Sequence, residues 1–272
     1  MHIRRVAPDD RERILTFLDS RTVVLRWLVA FFRHRDRLPP EEDENWDFFL
    51  GEEEDLVCLA AHFLPSATSY VCSSIETGFG VLEALVAEEL LPEKLVGERD
   101  FLERWRAASP EFFAAAREGR LEALTFQGSG SPPPGFRAAL PADLPLLEQY
   151  ERLRAIESGE ETTTDLEALI DAGLLFVFET EGVVAGVIRS NLSDGKYVHA
   201  GGVYVHPVHR GKGVGRFLAE GLGAKVRAEQ NVAALVTVDV ANGRALRAYR
   251  SAGYVPVGEG IEFHFDPESW DV

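Results

Sequence analysis

The 272-residue chain repeats itself, and that constrains its fold more than any other feature, because whatever one half forms the other must form as well. Ile3-Arg4, leading to Pro8, Asp10, Ile14 and Phe17, returns at one constant offset as Phe136-Arg137, leading to Pro141, Asp143, Leu147 and Tyr150. Leu56 to Cys72 corresponds without a gap to Val183 to His199, so that Tyr70-Val71 falls on Tyr197-Val198. Gly78-Phe79-Gly80 and Leu102-Glu103-Arg104-Trp105-Arg106 then follow in the same order as Gly213-Val214-Gly215 and Leu246-Arg247-Ala248-Tyr249-Arg250. Single short patterns coincide by chance, whereas four in a conserved order point to duplication. Gln127-Gly128-Ser129-Gly130-Ser131-Pro132-Pro133-Pro134-Gly135 has the composition of an extended linker. The expected division is therefore one domain over 1–127, a linker over 128–135 and a second domain over 136–272.

In the second copy, strand-like runs are expected at Phe136–Leu140, Leu174–Glu179, Val183–Asn191, Tyr197–His206, Ala233–Val240 and Ile261–Phe265, with helical patterns between them. Val214, Phe217, Leu218, Leu222 and Val226 share one helical face. Gly221 and Gly223 each weaken that helix by about 1 kcal/mol relative to Ala, so it must be held by packing on a sheet.

The chain carries a formal charge of −17, which repels nucleic acid and anionic lipid and makes any local cluster of Arg and Lys informative. Such a cluster lies in Val203-Tyr204-Val205-His206-Pro207-Val208-His209-Arg210-Gly211-Lys212-Gly213-Val214-Gly215-Arg216, which reads as a strand, a short loop and glycines opening a helix. The first amides of a helix lack internal partners, and the macrodipole adds partial positive charge there. Glycines let the backbone approach closely, and Arg210, Lys212 and Arg216 add charge, so a diphosphate is favoured. Glycines alone are equally compatible with an ordinary strand-to-helix turn.

No stretch supplies the G-x-x-x-x-G-K-[ST] of a nucleotide P-loop. A dinucleotide fold is mimicked by the strand-like Ala233–Val238 followed by Asp239, but the spacing is G-x-G-x-G, and His206 to Arg210 separate strand from glycine where that fold turns at once. Arg210-x-x-Gly213-x-Gly215 instead meets the signature [Q/R]-x-x-G-x-[G/A]. Asn242-x-x-Ala245-x-x-x-Tyr249-x-x-x-Gly253-Tyr254 follows as a capped helix ending at a glycine. With both blocks in this order, the second half of the chain closely resembles the GNAT acyltransferase family, and the first half is a distant echo of it.

The resemblance implies an α/β (α+β) chain of two GNAT-like domains, each a mixed, mostly antiparallel twisted sheet flanked by helices. It implies acetyl-CoA as cosubstrate, with the main chain of Val203, Tyr204 and Val205 pairing with pantetheine. The segment Arg210, Gly211, Lys212, Gly213, Val214, Gly215 and Arg216 would hold the diphosphate. Asn242 would contact the cofactor or cap its helix, roles that are compatible. Tyr249 would protonate the departing thiolate, or would simply fill core. Where several members place a carboxylate base, this chain has His199, an imidazole able to accept a proton directly or through water. His206 and His209 have an H-x-x-H spacing without a third ligand nearby, so no metal is expected.

In the first half, Ile75-Glu76-Thr77-Gly78 stands against the Arg210 turn with a glutamate in place of positive charge, and Trp105 stands against Tyr249. Indole is not a useful proton donor, so this half is expected not to catalyse, similar to tandem GNAT proteins in which one copy is active. The acidic runs Glu41-Glu42-Asp43-Glu44 and Glu52-Glu53-Glu54-Asp55 read as solvated faces. Cys58 and Cys72 lie in apolar runs and read as buried thiols. No apolar stretch is long enough for a membrane span, and the N-terminus lacks a secretory signal, so a cytoplasmic protein is expected. The expected partner is a small-molecule amine taken by a monomer or homodimer, with no nucleic acid and no membrane. The alternative is a silent acyl-CoA-binding sensor or interaction module.

Overall fold

Both copies pass through the same order of elements in the computed structural model, which describes residues 2–34, 44–53, 55–73, 79–158 and 165–266. Residues 41–43 and 54 of the acidic runs, and the 75–78 turn, lie outside the described residues. The first copy comprises β1 (His2–Arg5), α1 (Arg11–Arg21), α2 (Arg26–His34), β2 (Trp46–Glu52), β3 (Leu56–Phe63), β4 (Thr68–Ser73), α3 (Phe79–Ala87), β5 (Lys94–Glu98), α4 (Arg99–Ala108) and β6 (Arg117–Phe126). The second comprises β7 (Phe136–Ala138), α5 (Leu144–Ser158), α6 (Leu166–Asp171), β8 (Leu175–Thr180), β9 (Val183–Ser193), β10 (Tyr197–Val205), α7 (Val214–Gln230), β11 (Ala233–Asp239), α8 (Gly243–Ser251) and β12 (Tyr254–His264).

Two compact units result. One contains residues Met1–Ala123, Asp239–Ala241 and Val257–Val272, the other Leu124–Val238 and Asn242–Pro256, so each draws on both linear halves of the chain. In the first unit β1 to β4 pair antiparallel in sequence order, β4 and β5 pair parallel, and Gly260–His264 of β12 add antiparallel to β5. The second unit repeats this from β7 to β10, with β10 parallel to β11. Strand β12 starts earlier than the apolar run at Ile261 suggests. Its first residues are broken by Pro256, Gly258 and Gly260, and a Cβ on Gly260 would lie 2.9 Å from Val24 Cγ1, so close packing excludes the side chains that would have marked a strand.

The duplication extends to side chains. Arg4 donates to both Asp10 oxygens at 2.6 and 2.7 Å and to Glu52 at 3.0 Å, while Arg137 donates to Asp143 at 2.7 and 3.0 Å and to Glu179 at 3.0 Å. Asp10 and Asp143 also accept the amides of Ala7 and Leu140, closing the turn into α1 and α5.

Two apolar layers cover the faces of the second sheet. Leu147, Tyr150, Leu166 and Ile170 of α5 and α6 pack on Leu175, Val177, Val187 and Tyr204, while Val214, Leu218, Leu222 and Val226 of α7, with Leu246 and Tyr249 of α8, pack on Val198, Ala200, Ala234 and Val236. The α7 glycines leave room for aromatic rings: a Cβ on Gly221 would stand 2.3 Å from the Phe136 ring and one on Gly223 2.4 Å from that of Phe126. Packing of these rings offsets the helix propensity that the glycines lose.

Cys58 and Cys72 are buried and free. Cys58 lies opposite Ser73 and Leu59 opposite Cys72, which puts the two thiols on opposite faces of the sheet. Burial pushes Cys58 up to about 12 and raises Cys72 as well. Among the described residues no helix is long and apolar enough to cross a membrane.

Candidate functional site

A parallel pair that stops early creates the site. β10 and β11 are in register only at Tyr197, Val198 and His199 against Ala233, Ala234 and Leu235, yet β10 runs on to Val205 and β11 to Asp239. The parting coincides with a bulge on β10 between Gly201 and Tyr204, where Gly202 takes a φ of +58°. A Cβ there would stand 2.9 Å from Arg189 Nε. His206 N donates to Ala185 O on the β9 side, so by alternation Val203 and Val205 turn their N–H and C=O groups to the open edge.

The first unit lacks this opening among its described residues. There β4 and β5 pair from Thr68 to Val71 against Lys94 to Gly97, and α4 begins immediately after Glu98. A Cβ on Gly97 would lie 2.7 Å from Val71 O, so the strands remain in close contact. Trp105 is buried among Phe101, Phe112 and Phe113 rings.

Above the parted strands the chain turns into α7. Gly211 and Gly213 have φ of +76° and +83°, and Gly213 is the N-cap, with no side chain capping the helix. Phe217 N donates to Gly213 O at 3.0 Å, so the amides of Val214, Gly215 and Arg216 precede the first helical bond and point out of the helix end. This end carries the +0.5 of the macrodipole and is shaped to receive an anion. Gly215 fits between Val205 and Ala248: an added Cβ would meet them at 3.9 and 3.7 Å.

The cations of this segment are not equivalent. Arg210 donates its Nε to Val205 O at 2.9 Å and both Glu157 oxygens accept from its Nη2 at 2.9 and 2.7 Å, while its guanidinium lies 5.5 Å from the Tyr204 ring centroid. Arg216 reaches Glu220 at 3.4 Å, and Lys212 is exposed. Glu157, the acid that engages the signature arginine, carries no local sequence signal, because it stands on α5, 53 residues away. The Gly201-Gly202 doublet did carry one, since glycines inside a strand pattern mark a bulge.

The remaining candidates lie on β10, on α8 and in the loop that follows β10. Asn242 caps α8, its Oδ1 accepting Ala245 N at 3.1 Å. Tyr249 is buried on α8, edge-on to Tyr254 with ring centroids 5.2 Å apart, and burial raises its phenol above the usual range. His199 is the last residue of β10 paired with β11. Strand alternation places it on the face opposite Val198 and Ala200, and its Nε2 is enclosed without a hydrogen-bond partner among the described residues. Burial first, and the charge of Arg189 second, hold its imidazole down at about 4, so it is neutral near pH 7. The His206 and His209 rings stand 6.2 Å apart, and no three His, Cys, Asp or Glu side chains form a metal-holding group among the described residues.

With this geometry in place, residues 144–254 match the family model described as acetyltransferase (GNAT) family. Solved structures align over nearly the whole chain. An acetyltransferase from the GNAT family of Colwellia psychrerythraea has a TM-score of 0.65 at 16% identity, covering 98% of this chain and 100% of that one. A GCN5-related N-acetyltransferase from Sphaerobacter thermophilus has 0.60 at 17%, covering 97% and 95%. A tandem GNAT protein from the clavulanic acid biosynthesis pathway has 0.60 at 15%, covering 96% and 97%. At these identities the likeness is one of fold. No curated protein matches the chain by sequence.

Proposed function

We propose, from the premise that residues 144–254 are a domain of the acetyltransferase (GNAT) family, that the protein transfers the acetyl group of acetyl-CoA directly to a primary amine of a small molecule or peptide. The observation that carries this reading is the parting of β10 and β11 beneath an uncapped helix end. It offers an amide-bearing pantetheine arm a stretch of β10 edge not paired with β11, on which Val205 O accepts from Arg210, and it offers a diphosphate a ring of amides. Both are needed by this substrate, and a parallel pair that stays in register to its end lacks the open edge.

In the proposed reaction the amine lone pair attacks the thioester carbonyl, and backbone donors near Val205 stabilise the oxyanion. The C–S bond then breaks and the thiolate takes the Tyr249 proton. The phenol is protonated at neutral pH, as a donor in this role must be, but burial makes it a weaker acid than a free tyrosine, so the developing charge on the thiolate has to draw the proton off. The proton leaving the amine passes to His199, whose neutral ring has an unused Nε2 at the point where the strands part. A base held at about 4 carries that proton only transiently. We assign this chemistry to the copy at 136–272 and none to the copy at 1–127, where a buried Trp105 stands for the tyrosine.

The test follows free thiol from acetyl-CoA with polyamines, amino acids and aminoglycosides as acceptors. Tyr249→Phe keeps the ring and its packing, so the proposal expects unchanged acetyl-CoA affinity with turnover lowered about 10²- to 10⁴-fold. Binding without turnover across the panel would instead leave the protein an acyl-CoA-binding module.

A further inference from the structure

The face of the second sheet that α5 and α6 cover is apolar at Leu175, Val177, Val187 and Tyr204, and Arg189 interrupts it. Arg189 stands on β9 between Leu175 of β8 and Gly201 of β10, so its side chain leaves the sheet among those residues and is half-buried. A charged side chain in the middle of an apolar sheet face calls for a reason.

Shape and charge both direct Arg189 to the reacting end of β10. Its stem lies across the bulge: a Cβ on Gly202 would stand 3.0 Å from its Cγ and Cδ and 2.9 Å from its Nε, and one on Gly201 3.9 Å from Nε. The Gly201-Gly202 doublet is thus the bed of this arginine, immediately before Val203 to Val205. His199 projects from the same face, nearer the start of β10, and the Arg189 charge is one of the influences that lower its imidazole. A cation here opposes the transfer proposed above. It weakens the base, and it repels both a protonated amine and the ammonium that forms on attack. An acceptor that brings its own negative charge offsets both effects.

We infer that Arg189 sets acceptor specificity by receiving a carboxylate borne close to the amine, so that the acceptor is an amino acid. The inference rests on the transfer reading above and names the substrate class of the same site. A planar guanidinium meets a carboxylate in paired, charge-assisted hydrogen bonds, which would orient the amine on the face that carries His199. Arg189 has interactions within the chain as well, and its several N–H donors suffice for more than one acceptor. Polyamines and aminoglycosides, which bring only positive charge, do not fit.

Matched acceptors test this: free-thiol release from acetyl-CoA by the full chain, with each α-amino acid compared with its α-amide and rates referred to the free-base concentration of the amine. The wild type should favour the acids by about tenfold or more in kcat/KM. In Arg189→Gln the acids should lose through a raised KM while the amides gain, and Arg189→Lys should keep part of the preference; a merely structural arginine would lower both sets together. Acetyl-CoA affinity, measured alongside, reports whether each variant is folded, and the wild-type comparison decides without them. Equal wild-type rates, or a preference that survives Arg189→Gln, would overturn the carboxylate assignment while leaving the transfer reading intact. No turnover of either set with acetyl-CoA bound would overturn both.

Discussion

Gly213 and Gly215 are neighbours in the signature but meet different physical demands, and substituting each by alanine should separate them. Gly213 sits at φ +83°, a left-handed conformation that costs an L-residue about 1–2 kcal/mol. Its added Cβ would meet nothing nearer than the Phe217 ring at 3.5 Å, so the cost is conformational and not steric. Reduced unfolded-state entropy returns about 0.4–1 kcal/mol, leaving a net loss of about 1 kcal/mol. Gly215 is helical, and its Cβ would make ordinary contacts with Ala248 and Val205, so alanine gains up to about 1 kcal/mol of propensity. Urea denaturation should therefore rank Gly215→Ala above Gly213→Ala by about 2 kcal/mol. Because Gly213 aims the amides that follow it, calorimetry should show acetyl-CoA affinity falling about tenfold or more in Gly213→Ala and within about threefold of wild type in Gly215→Ala. A Gly213→Ala protein as stable and as tight-binding as the wild type would refute the account of this turn.

Removing the acid that engages Arg210, by Glu157→Gln, should free its guanidinium and remove a negative charge beside the diphosphate turn. Acetyl-CoA affinity should rise several-fold at low salt, and an unchanged or lower affinity would contradict this. Arg4 and the Ala7 amide hold the Asp10 carboxyl at about 2, below its ordinary 3.8. A depressed carboxylate stabilises the fold above its unfolded value, so this contribution, about 2 kcal/mol, is present above about pH 4 and lost as pH falls toward 2. Asp10→Asn should lower neutral stability by about that amount and flatten the acid limb of the denaturation profile, and an unaltered limb would count against the ion pair.

The repeat was legible because its matched positions carry structure. Arg4 with Asp10 and Arg137 with Asp143 form the same turn in both copies, and the tyrosine-valine pairs fall on equivalent strands. Gly211, Gly213 and Gly215 were legible because a left-handed turn and a close helix contact select glycine. Less visible were features made by distant segments meeting. Nothing around Glu157 signals that it holds Arg210, and no local pattern reports that β10 and β11 part after His199. Membership of the units was also hidden, because the residues of β12 that enter the first unit are sequence neighbours of the second.

Hydrogen exchange on acetyl-CoA addition probes the central claim directly, since the contacts proposed for the diphosphate are backbone amides. Slowed exchange should concentrate in peptides covering 203–216, at the open edge of β10 and the start of α7, while 72–73 and 97–106 of the first unit exchange as before. Protection in the first unit alone, or no change at 211–216 with ligand demonstrably bound, would contradict the assignment of this turn as the diphosphate cradle.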